Sequence, residues 1–136
     1  MSEQWAVRVD SAEASTTAAP TTSSDGIAIP ASVDLAKDVH LLCQKGAASS
    51  TRTMRVKVHG YVSKLIDTSL AAVASSDAWY EIFDTETQSD AADFNLGYLL
   101  SGLRNYSRLA TEVVTNGGTT PTLTTAFGFS PDDTVP

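Results

Sequence analysis

Met54-Arg55-Val56-Lys57-Val58-His59-Gly60-Tyr61-Val62 is the stretch whose reading decides the fold. Met54, Val56, Val58 and Val62 fall on one side of a period-2 ribbon, and Arg55, Lys57, His59 and Tyr61 on the other. Such alternation marks a strand with one face in a core and the other near water. The pattern returns late in the chain. Leu109, Thr111 and Val113 alternate with Ala110, Glu112 and Val114, and Leu123, Thr125, Phe127 and Phe129 alternate with Thr122, Thr124, Ala126 and Gly128. None of these strands carries an evident chemical apparatus. A chain built as a scaffold is expected to work by contact rather than by catalysis.

Working outward, residues 39–45 read as a strand, and a small polar turn at 46–51 joins it to the 54–62 strand as a hairpin or neighbour in one sheet. Ala78-Trp79-Tyr80-Glu81-Ile82-Phe83 is a strand by aromatic density. Residues 69–76 are Ala/Ser-rich and fit a loop or one helical turn, and 84–93 form an acidic polar connection. Leu96, Leu99, Leu100 and Leu103 have helical spacing, although Gly97 and Gly102 lower helix propensity, so a helical turn is expected before a strand at 107–115. Asn116-Gly117-Gly118 predicts a tight reversal into the last strand, 122–129. The expectation is an all-β, antiparallel sandwich or jelly roll of six to eight strands.

The amino-terminal segment differs in composition. Eight of the fourteen residues from 11 to 24 are Ser or Thr, too little apolar surface to offset the cost of ordering. Before them Trp5, Val7 and Val9 alternate. A short β-like piece on a soft linker predicts a flexible arm over 1–26, a body over 27–130 and a polar tail over 131–136, with Trp5, Val7 and Val9 as the arm's contacts. The alternative is that 5–9 is the first strand of the same domain, followed by a long loop.

Charge and cysteine content narrow the function classes. The chain has 136 residues, and nine Lys/Arg against sixteen Asp/Glu give a net charge of -7. That balance disfavours a nucleic-acid partner, which needs clustered cations, and otherwise keeps a soluble protein from self-associating. Cys43 is the only cysteine, so no internal disulfide or thiolate cluster can form, and it reads as a small core residue. The first thirty residues lack the layout of a signal peptide, and no apolar run reaches membrane-spanning length. The expectation is a chain made in a cytoplasm, kept there or released by lysis, with no membrane partner.

Candidate chemical groups are sparse. His40 and His59 lack the spacing of a metal or acid/base pair, and His59 reads as a surface residue. Asp84, Glu86, Asp90 and Asp93 do not match a calcium loop and read as a solvated connection. No serine lies in a nucleophile elbow, and no phosphate-cradling loop occurs. Asn105-Tyr106-Ser107 matches a glycosylation sequon, which matters only in a secretory pathway. No catalytic residue, metal ligand or cofactor is assigned. Tyr61 and Tyr80 are the candidate exposed contact face.

The order of parts resembles the small β-sandwich accessory proteins of tailed bacteriophage virions. The parts are Arg55-Val56-Lys57-Val58-His59-Gly60-Tyr61, then Trp79-Tyr80, Leu100-Ser101-Gly102-Leu103, Tyr106-Ser107-Arg108-Leu109, and a final Phe-x-Phe strand. The resemblance covers about two-thirds of the chain. It implies a non-enzymatic virion structural protein: a head decoration or cement protein, or a neck component where head meets tail. It would contact the major capsid protein or neighbouring virion proteins, as a homo-oligomer in the particle. A carbohydrate- or receptor-binding β module, using Tyr61, Tyr80 and Asp84, is the competing class.

Overall fold

A computed structural model describes residues 6–30, 33, 38–62 and 79–130. They form nine strands, two of them only two or three residues long: β1 (Ala6–Glu13), β2 (Ile27–Ala28), β3 (Val39–Gly46), β4 (Ser49–Tyr61), β5 (Trp79–Asp84), β6 (Gln88–Asp90), β7 (Phe94–Leu100), β8 (Arg108–Thr119) and β9 (Thr122–Phe129). One 3-10 turn, Leu103–Asn105, precedes β8. The strands make two antiparallel sheets packed as a sandwich. The first runs β1-β9-β3-β7, and the second β2-β8-β4-β5 with β6 also paired to β4. The all-β sandwich expected from the alternation is therefore the observed architecture.

The core is the set of inward rows that the sequence pattern exposes. Met54, Val56 and Val58 from β4 and Leu109 and Val113 from β8 meet Val39, Leu41 and Cys43 from β3 and Leu123, Phe127 and Phe129 from β9. Almost all are fully buried. Removing apolar area from water drives this assembly, at about 25 cal/mol per Å². Burial pushes the Cys43 thiol up to about 12, so it packs as a neutral hydrophobe.

Four expectations are corrected. β3 and β4 are not partners: β3 pairs with β7 and β9, and β4 with β5, β6 and β8. Two strands that each bury one apolar row can pack those rows face to face, so the short link between them crosses the sandwich. Arg52 holds that crossover, donating to the carbonyls of Ala47, Ser50 and Ala91, each at 2.7 Å, and to Asp93 at 3.0 Å. The helical turn expected around Leu96 is strand β7, whose inward row is Phe94, Leu96, Tyr98 and Leu100. Its pairing with β3 overrides the helical spacing of the leucines.

The reversal expected at Asn116-Gly117-Gly118 is displaced: β8 continues to Thr119, and the chain turns at Thr120-Pro121. Gly117 serves close approach instead, because a Cβ there would lie 2.1 Å from the Thr53 hydroxyl. Finally, residues 6–13 of the expected arm are an edge strand of the sandwich, with β1 in register against β9 from Ala6↔Phe129 to Glu13↔Leu123. A bulge at Asp10 turns its carboxylate toward β8, where it accepts from the Thr111 amide at 2.7 Å and from the Thr111 hydroxyl. Thr17 then exchanges hydrogen bonds with Val113, at 2.9 and 3.0 Å. The Ser/Thr-rich stretch thus supplies the polar partners that the open edge of β8 requires. Trp5, the 69–76 segment and the 131–136 tail lie outside the described residues.

Candidate functional site

The register of the first sheet places its outward residues in rows that cross all four strands. Val7, Gly128, His40 and Leu99 make one row; Val9, Ala126, Leu42 and Gly97 the next; Ala12, Thr124, Gln44 and Asn95 the third. Within these rows there is no Asp, Glu, Lys or Arg. Four of the five exposed large hydrophobics among the described residues lie here: Val7, Val9, Leu42 and Leu99, with Leu99 at 59% exposure. Gly97 and Ala126 contribute almost no side chain between them. A depression of about 400 Å³ results, lined by Leu42, Gln44, Asn95, Gly97, Thr124 and Ala126. A Cβ built on Gly97 would meet nothing within 4 Å. Two rows that are apolar apart from His40, bordered by a neutral polar one, can exclude water against a partner without stranding a carboxylate, lysine or arginine.

The outer face of the second sheet is built differently. Arg55 forks onto Asp84 at 3.1 and 2.6 Å, Lys57 reaches Glu81 at 2.9 Å, and His59 meets Glu112 at 2.9 Å. Asp84 also accepts the Glu86 amide at 2.9 Å. The Arg55 guanidinium is the main cause that holds the Asp84 carboxyl below its usual range, and the Glu81 hydrogen bond raises Lys57. Tyr61 packs against Trp79 with ring centroids 5.2 Å apart, and the Trp79 indole donates to the Thr22 carbonyl at 2.8 Å. Opposite charges here satisfy one another within the sheet.

The sequence-derived site residues fare unequally. Val7 and Val9 are exposed on the outer face of the first sheet, carried by β1 rather than by a separate arm. Tyr61 and Tyr80 are not brought onto one face. Tyr61 stands opposite Trp79 in the ladder, so Tyr80, the next residue along β5, projects to the other side. His40 and His59 sit on different sheets, and His59 is largely buried rather than on the surface. The acidic connection is divided: Asp84 serves Arg55, whereas Asp93 accepts the Ala47 amide at 3.2 Å and pairs with Arg52. Among the described residues no group of three or more His, Cys, Asp or Glu is placed to hold a metal ion.

Leu42, Leu99 and Gly97 were not among the expected contacts. Leu42 follows an inward residue on β3, and only alternation with Leu41 and Cys43 marks it as outward. Leu99 was hidden by the helical reading of its segment. Comparison with protein-family models, characterised proteins and solved structures gives no match for the chain.

Proposed function

We propose that this chain is a non-enzymatic structural subunit that attaches to a larger assembly through the outer face of its first sheet. In the reading favoured by the order of its sequence parts, the assembly is a tailed-phage virion. The subunit decorates or cements the capsid by contact with the major capsid protein or with neighbouring copies, and a place in the neck is the nearest variant. The observation that carries this reading is an exposed apolar face without Asp, Glu, Lys or Arg in its rows, on a chain of net charge -7. Leaving such a face in water is costly unless a partner covers it. The ionic groups of the second sheet support the same orientation, since they are already paired and suit a solvent-facing exterior.

A sugar-binding platform draws less support. Tyr61 is occupied by Trp79, and Tyr80 lies across the sheet from it. The deciding experiment is quantitative mass spectrometry of purified virions from the source culture. Copies comparable to the major capsid protein would support decoration, and about a dozen would support the neck. Absence from particles would overturn the virion reading.

A further inference from the structure

Lys45 ends the inward row of β3, after Val39, Leu41 and Cys43, and is only 1% exposed. Among the described residues no carboxylate forms an ion pair with it. Its Nζ lies instead 2.5 Å from Oδ1 of Asn116 and 3.5 Å from the Gly46 carbonyl. Asn116 reaches this point through a bulge. Val113 pairs with Val56 and Thr115 with Arg55, so an extra residue shifts the alternation, and Asn116 then stands opposite buried Met54. Without the extra residue Asn116 would face outward. Bulges that re-aim a side chain are over-represented at sheet edges and next to active sites.

We propose that Lys45 and Asn116 join in an intramolecular isopeptide bond, Nζ to Cγ, that staples the two sheets. The unprotonated amine attacks the carboxamide carbon of Asn116. The Nζ–Cγ bond forms, the Cγ–Nδ2 bond breaks, a proton passes from Nζ to the departing nitrogen, and ammonia leaves. Nothing is oxidised or reduced. The sandwich holds the nucleophile and the electrophile against each other, with Lys45 buried and Asn116 half-buried. Burial is the main influence lowering the Lys45 pKa, the charge of Arg52 adds to it, and Asp93 offsets part. The product would link β3 to β8 across 71 residues of sequence and keep the sheets joined under load.

The test is the intact mass of the purified full-length protein, followed by a protease digest. The expected mass is below the sequence value by one ammonia, about 17 Da, with a branched peptide joining the segments around Lys45 and Asn116. Lys45→Met and Asn116→Ala should each restore the full mass. Asn116→Asp should instead lose water, about 18 Da, as the same bond forms from a carboxyl. Two results would overturn the proposal. One is the full sequence mass in the wild-type protein. The other is ammonia loss with only linear peptides, carrying a hydroxylamine-sensitive cyclic imide at Asn116-Gly117. Both readings come from the unmodified sequence, so they hold even where a variant fails to fold.

Discussion

The two sheets of this sandwich bury similar inward rows but turn opposite surfaces outward. The second sheet presents Arg55, Lys57 and His59, each tied to a carboxylate of the same sheet, with Tyr61 closed against Trp79. The first presents Val7, Val9, Leu42 and Leu99 around Gly97, Ala126 and Gly128. One face has its polar demands met from within, and the other gains only when something covers it. The inner faces hold the fold together, and the outer faces differ in charge and exposure.

The largest expected effect comes from charging the apolar face. Leu42→Glu combined with Leu99→Glu should weaken attachment to purified particles at least tenfold, about 1.4 kcal/mol, while the thermal midpoint stays nearly constant. Co-sedimentation and calorimetry together check this. Undiminished attachment would break the comparison, because the two faces would then be functionally alike.

Asp84→Ala addresses the ionic face. It strips Arg55 of a forked partner whose carboxylate side chain is 17% exposed, and should lower unfolding free energy by about 1–2 kcal/mol in urea titrations. Attachment should not change. A loss of attachment without a loss of stability would assign contact to the wrong sheet.

Acid should act through the same carboxylates. Asp84, held down chiefly by Arg55, and Asp93, held down chiefly by the Ala47 amide, both lie below the ordinary 3.8 in the folded chain. A depressed folded pKa means stability that is complete above 3.8 and lost as pH falls through the lower folded values. Urea midpoints should therefore hold down to about pH 4 and fall below it, with a shallower fall in Asp84→Asn. The rows of the first sheet contain no carboxylate, and His40 is their one titratable side chain, so any loss of attachment in acid that precedes unfolding should disappear in His40→Gln.

The smallest effect is expected from Gly97→Val. Its Cβ meets nothing, and a β-branched residue suits a strand, so stability should rise by about 0.5 kcal/mol. Filling the depression should still weaken attachment modestly, by surface plasmon resonance against particles. Stronger attachment would mean that the partner follows total apolar area rather than the shape of the depression.

Much of the fold was legible because burial on one face imprints period 2 on the residues. Met54, Val56 and Val58 announce β4, and Leu123, Thr125, Phe127 and Phe129 announce β9, and all are buried. β7 was misread because its leucines satisfy a helical spacing by coincidence, while its true inward row includes Phe94 and Tyr98. Of the exposed apolar face, Val7 and Val9 were legible as an alternating apolar piece. Leu42 and Leu99 were not, since a leucine's identity does not tell which side of a sheet it takes.

The sequence by itself determined that this chain is an all-β sandwich with a buried neutral cysteine, since those follow from local alternation and composition. Only the tertiary structure decided which strands are neighbours, and so which residues share a face. Strand partners are chosen by long-range hydrogen bonding and by packing of whole rows. A single bulge, such as those at Asp10 or before Asn116, reverses the direction of every later side chain without any signature in the residue spacing.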